Sequence, residues 1–118
     1  MVPIFDSNGF TVAWLSGDDI YDRKGIFLGY IDKQTVYDTT SNYCGTLRKS
    51  FFRDIKGYVV AFLKDAKNGP VLPVLKPLPT KPIRKSKSII KPKSPIPPPK
   101  SVKSQWSKLG WHDFIKCS

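Results

Sequence analysis

The sequence predicts an all-β protein: four sixteen-residue β-hairpins closed into a pseudo-four-fold ring, followed by a proline- and lysine-rich linker and a short C-terminal segment. Two observations carry this. The stretches PIFDSNGFTVAWLSGD, DIYDRKGIFLGYIDKQ, TVYDTTSNYCGTLRKS and FFRDIKGYVVAFLKDA follow one another without insertion from Pro3 to Ala66. Composition then changes abruptly, with ten of the eleven prolines lying between Pro70 and Pro99. A fixed period decides architecture before any local propensity does.

Within each copy, a short β-prone run leads into Asp-x-x-Gly and a second β-prone run follows. This is the grammar of a hairpin with a type I turn and a residue in the left-handed region. Asp6, Asp22, Asp38 and Asp54 align at the first turn position, where a carboxylate accepts bonds from backbone N–H groups two residues on. Gly9, Gly25 and Gly57 align at the last, where a positive φ costs glycine nothing. The third copy has Ser41 instead; Asn42 is expected to take the positive φ there, and this hairpin to be the loosest. Ala13, Gly29, Gly45 and Ala61 also align, and small residues at this strand position mark a close approach. In a closed ring they would face their symmetry mates across the axis. Closure also removes exposed sheet edges. The alternative architecture is a short β-solenoid, with the four units stacked in parallel as rungs.

The pattern of an apolar residue, an aromatic, Asp-x-x-Gly, then a small residue, an aromatic and Leu resembles the bacterial family called the 4-fold β flower domain. The resemblance covers roughly residues 3–66. It implies a proline-rich linker and a short Trp-containing C-terminal segment, and the family is one of unknown function. Arg53, where the other copies have Phe5, Tyr21 and Tyr37, and Ser41 depart from the pattern.

Three regions follow: a β domain over 1–66, an extended or disordered linker over 67–104, and a docking segment over 105–118. Residues 1–66 hold eight Lys/Arg and eight Asp, whereas residues 67–118 hold twelve Lys/Arg against Asp113 alone. The net charge of +11 is therefore a property of the tail. Proline at this density excludes helix and central strand and favours an extended chain. In the last segment Trp106, Leu109, Trp111 and Phe114 are too apolar for a solvated tail. Trp111, Phe114 and Ile115 share one helical face. So short a helix cannot stand alone, so the segment must dock on the ring or on a partner.

Chemistry is thin. The four aligned aspartates read as turn residues held too far apart for paired-carboxylate catalysis. His112, the only histidine, reads as a neighbour of a docked Trp. No phosphate loop, metal-ligand cluster or nucleophile elbow is present. No enzyme, cofactor or metal is expected. Cys44 reads as a buried apolar thiol not paired with Cys117. No apolar run reaches the roughly 18–20 residues of a membrane span, and no targeting signal is read at the N-terminus, so a cytoplasmic location is the default.

The expected function is a non-catalytic adaptor. Its ring would present aromatics such as Phe5, Tyr21 and Tyr37, and Trp106, Leu109, Trp111 and Phe114 would be candidate protein-docking residues. The alternative is non-specific nucleic-acid binding through Lys81, Arg84, Lys85, Lys87, Lys91 and Lys93, which would neutralise phosphates.

Overall fold

The computed structural model describes residues 1–87, 92–93, 95–96 and 100–116. Among them eight strands follow in order: β1 (Val2–Phe5), β2 (Thr11–Ser16), β3 (Asp19–Tyr21), β4 (Phe27–Asp32), β5 (Thr35–Asp38), β6 (Tyr43–Arg48), β7 (Phe51–Arg53) and β8 (Val59–Phe62). One short helix, α1 (Trp111–Ile115), ends the described chain. Each strand pairs antiparallel with its sequence neighbours, and β8 returns to β1 through Phe5 and Phe62 to close a barrel. The repeats are thus hairpins and not solenoid rungs.

The turn chemistry is the same at all four tips. The Oδ1 of Asp6 accepts the N–H groups of Asn8 and Phe10, and Asp22, Asp38 and Asp54 repeat this two and four residues on. Gly9, Gly25 and Gly57 sit at φ of 85–92°. In the third copy the positive φ falls on Ser41, at 63°, and not on Asn42. That tip is not loose. Asp38 also accepts from the Thr40 hydroxyl and the Asn42 amide, and the buried Ser41 hydroxyl meets the Tyr30 hydroxyl at 2.8 Å.

Every hairpin carries one β-bulge. Ile4 pairs Ala13 while Phe5 pairs Thr11, which leaves Val12 as the extra residue, and Leu28, Cys44 and Val60 repeat it. A bulge bends its strand and re-aims a side chain. These extra residues join Ile4, Ile20, Val36 and Phe52 in or against the barrel core, while Phe5, Tyr21, Tyr30, Tyr37 and Phe62 belong to two other buried clusters. The aromatics expected to be presented are therefore covered: Phe5, Tyr21 and Tyr37 are each under 5% exposed.

The small aligned residues have a different cause from the one expected. A Cβ on Gly29 would lie 2.2 Å from the Tyr37 carbonyl oxygen, and one on Gly45 would lie 2.0 Å from that of Arg53. The neighbouring hairpin's backbone limits their size, not the symmetry mates across the axis. At Gly45 a second limit is internal, because Phe114 Cε1 would be 2.8 Å away.

Phe114 belongs to the plug. Trp111, Phe114 and Ile115 are buried in the barrel core, with Phe52 edge-on to both aromatic rings of α1. The chain reaches this place by circling the tips. The N–H groups of Lys76, Lys85 and Lys103 donate to the carbonyls of Gly9, Gly25 and Gly57 at 2.9–3.1 Å. Lys76 and Lys85 are nine residues apart, and Lys85 and Lys103 eighteen. Among the described residues the linker is thus a strap held at the first, second and fourth tips, with nine residues from the first step to the second. An extended proline-rich chain advances about 3.1 Å per residue, so nine residues reach about 28 Å. A quarter of the circumference of a disc 36 Å across is also about 28 Å.

The strap explains the tip glycines twice over. Besides the positive φ, a Cβ on Gly25 would come 2.0 Å from the Ile83 carbonyl oxygen. Gly25→Ala is expected to cost more than about 1 kcal/mol and to raise amide exchange at Lys85. Gly110→Ala, with open space around the new methyl and φ of −75°, should leave stability nearly unchanged. Urea unfolding of both variants checks the contrast.

Candidate functional site

Four-fold symmetry fails at the fourth tip, and the failure builds a cleft. The residue before the turn aspartate is aromatic in three copies and Arg53 in this one. Arg53 is 6% exposed and lies over the Phe51 ring, 5.4 Å from its centroid. Its Nη1 donates to the carbonyls of Gly57, at 2.8 Å, and Lys103, at 2.6 Å. One guanidinium thus clamps the strap to the turn. No carboxylate forms an ion pair with it among the described residues. Burial pulls its pKa below the ordinary value, with the Arg48 charge adding to the effect; an arginine stays protonated nonetheless.

Beyond Lys103 the strap turns inward. Val59 donates to the Gln105 carbonyl and accepts from Ser107 N–H, so Trp106 forms a parallel bridge to β8. The Trp106 ring meets Phe62 edge-on at 6.0 Å. Ser107 Oγ donates to Asp54 Oδ2 at 2.5 Å and accepts from Leu109 N–H at 3.0 Å. Between this segment and the tip lies a cleft of about 620 Å3. Ile55, Tyr58, Trp106 and Leu109 give it apolar walls, Asp54 and Ser107 lie in its lining, and Lys56 and Lys108 are its exposed cations. Both Asp54 oxygens are committed, Oδ1 to the N–H groups of Lys56 and Tyr58 and Oδ2 to Ser107.

The residues singled out from the sequence have separate fates. Trp106, Trp111 and Phe114 are taken up by the chain's own barrel, so the terminal segment docks within the molecule. Of that set Leu109 alone stays open, at 45% exposure. His112 is exposed on α1. Among the rim cations, Lys87 pairs with Asp19 at 3.1 Å, Lys93 pairs with Asp32, and Arg84 donates to Ser16 Oγ. Lys81, Arg84 and Ser16 line a second, open depression with Met1. Lys91 lies outside the described residues.

The Lys93 hydrogen bond holds the Asp32 carboxyl below its ordinary range, and Asp32 holds the Lys93 ammonium above its own. Whatever the pair contributes is present at neutral pH. It is lost as pH falls through the depressed carboxyl pKa, or rises through the raised ammonium pKa. Both groups are solvent-exposed, so the contribution is small and screened by salt.

Cys44, expected as a free thiol, is disulfide-bonded; Cys117, the chain's other cysteine, lies outside the described residues. Sequence reasoning marked Arg53 as a departure but missed Ile55, Tyr58 and Lys56 as cleft residues. The signal was there: the fourth tip reads Asp-Ile-Lys-Gly, the only one with a large aliphatic residue directly after its aspartate.

This geometry defines a pseudo-four-fold, all-antiparallel β barrel, plugged by its own C-terminus and belted by the segment between. The family model described as 4-fold beta flower protein matches residues 2–115, and the chain belongs to that family. The match takes in the strap and the plug as well as the hairpins. Neither the comparison with curated proteins nor that with solved structures finds a match. No helix among the described residues is long and apolar enough to cross a membrane.

Ser107→Ala removes a donor to a buried carboxylate and leaves the exposed Leu109 N–H to solvent. Bonds to charged groups contribute about 1.5–3 kcal/mol, so urea unfolding should show a loss in that range and amide exchange at Leu109 should accelerate. Ser16→Ala, which breaks only the exposed bond to Arg84, should change stability by less than about 0.5 kcal/mol.

Proposed function

We propose that this chain is a non-catalytic protein-binding module whose recognition surface is the cleft at the fourth tip. The observation that carries this is the asymmetry itself. Four tips share one turn, and one of them acquires four apolar walls from two different segments of the chain. A concave apolar site with a few placed polar groups is the ordinary form of a recognition pocket, and about 620 Å3 lies within the usual size range. The three bonds already made by Asp54, two to Oδ1 and one to Oδ2, favour a structural role for that carboxylate over a catalytic one. The bonded Cys44 weighs against the cytoplasmic default, since disulfides persist in oxidising compartments.

Peptide display against the full chain tests the proposal. Selected peptides should lose binding to Leu109→Asp, a change at an exposed wall residue, while that variant keeps its thermal midpoint. Selection that yields nothing above background, or only peptides indifferent to Leu109→Asp, would refute it.

Non-specific nucleic-acid binding remains a second reading on a specific observation: Lys81, Lys85 and Lys100 are exposed and make no ion pair among the described residues. Each phosphate neutralised contributes about −0.9 to the slope of log K against log salt, so three lysines would give about −2.7. Titration of random duplex DNA with the full chain measures this slope. A value of about −4.5 would mean that Lys87 and Lys93 leave Asp19 and Asp32 for phosphate.

A further inference from the structure

We infer that the fourth-tip cleft takes an acidic segment of a partner protein, one large apolar side chain flanked by carboxylates; this rests on the cleft being the recognition surface. Its charge is one-sided. Lys56 and Lys108 are the exposed ionisable groups lining it, and both are cationic. Asp54, the only carboxylate in the lining, is 7% exposed and its charge is met by three donors. Just before it in the chain sits Arg53, a buried cation with no carboxylate paired to it among the described residues. An incoming basic segment would meet like charge with nothing to answer it, whereas carboxylates would find two lysines free to turn toward them. Complementary charge of this kind sets partner choice and speeds encounter.

The apolar half of the partner follows from the walls. Trp106 is held by its bridge to Val59 and its contact with Phe62, so one wall is preformed. Ile55 and Leu109 are 52% and 45% exposed, and burying them requires an apolar surface from outside. Aromatic and aliphatic anchors in such pockets, ringed by polar contacts, carry most of the energy of protein association. The rim differs in kind: Lys87 and Lys93 already have their carboxylates in Asp19 and Asp32.

The experiment is fluorescence anisotropy of the full chain with a labelled probe peptide carrying one leucine between two pairs of aspartates. One comparator replaces the aspartates by lysine, another the leucine by glycine. The acidic leucine probe should bind, and each comparator should bind at least tenfold more weakly. The double reversal Lys56→Glu with Lys108→Glu should weaken the acidic probe at least tenfold. Reversal of the rim, Lys81→Glu with Lys85→Glu, should change it less than threefold. Far-UV circular dichroism and thermal midpoints of all variants check that the barrel is kept.

If the lysine comparator binds better and Leu109→Asp abolishes it, recognition at the cleft stands and the acidic partner falls. An acidic probe that follows the rim reversal and not the cleft reversal overturns the inference in favour of a polyanion surface. If no probe binds and display yields nothing dependent on Leu109, the recognition reading falls with it.

Discussion

The insertion of Phe114 against Gly45 is the contact on which the rest of the molecule depends. An eight-stranded barrel has an interior just wide enough for side chains to fill. Here the wall carries four small residues: Ala13 and Ala61 are fully buried, and Gly29 and Gly45 are kept small by the approach of neighbouring hairpins. What the wall gives up, the plug returns: Trp111, Phe114 and Ile115 complete the core around Phe52. Some sixty residues of hairpin alone would make a marginal domain. The C-terminus belongs to the same core.

A plug at the chain's end must be brought there from the end of β8, and this need accounts for the strap. Among the described residues it forms no named strand or helix, yet it satisfies the carbonyls of Gly9, Gly25 and Gly57. Proline suits such a path, because it lowers the entropy of the unfolded strap and forfeits only N–H groups that the path does not use. Two other strap lysines, Lys87 and Lys93, pair with acidic residues of the barrel, Asp19 and Asp32. The tail's positive charge is partly a means of attachment.

The hairpins were legible because their information is carried by side chains. Asp6, Asp22, Asp38 and Asp54 act through their own carboxylates, and Gly9, Gly25 and Gly57 through a backbone conformation that other residues resist. An apolar run over residues 71–75 marked the start of a strap along the ring, but its attachment at the tips was not legible, because it attaches through its own backbone N–H and C=O, which leave little mark on composition. The same reason hid the cause of the small residues: what stands against Gly29 is a carbonyl, which every residue possesses. The bulges were hidden too, since a register shift is a property of two strands and not of either sequence. At the cleft, Arg53 showed itself as a departure, but its role as a clamp depends on the Lys103 carbonyl fifty residues away.

The asymmetry of the fourth tip follows from topology. A strap that starts where the last hairpin ends can pass three tips and must leave the rim at the fourth. The tip where it turns inward cannot pack as the others do. Its aromatic gives way to an arginine that can hold two carbonyls at once, and its aspartate gains Ser107 as an additional partner. The inward-turning residues stand away from the tip far enough to leave a gap. Its walls are therefore made of groups already fixed by the barrel, Tyr58 and Trp106 among them, and a ligand there would meet a surface ordered before it arrives. Preorganisation of this sort lowers the entropic cost of binding. In a barrel whose four tips share one tight turn, the place where the repeat is forced to break is the place best able to acquire a specificity of its own.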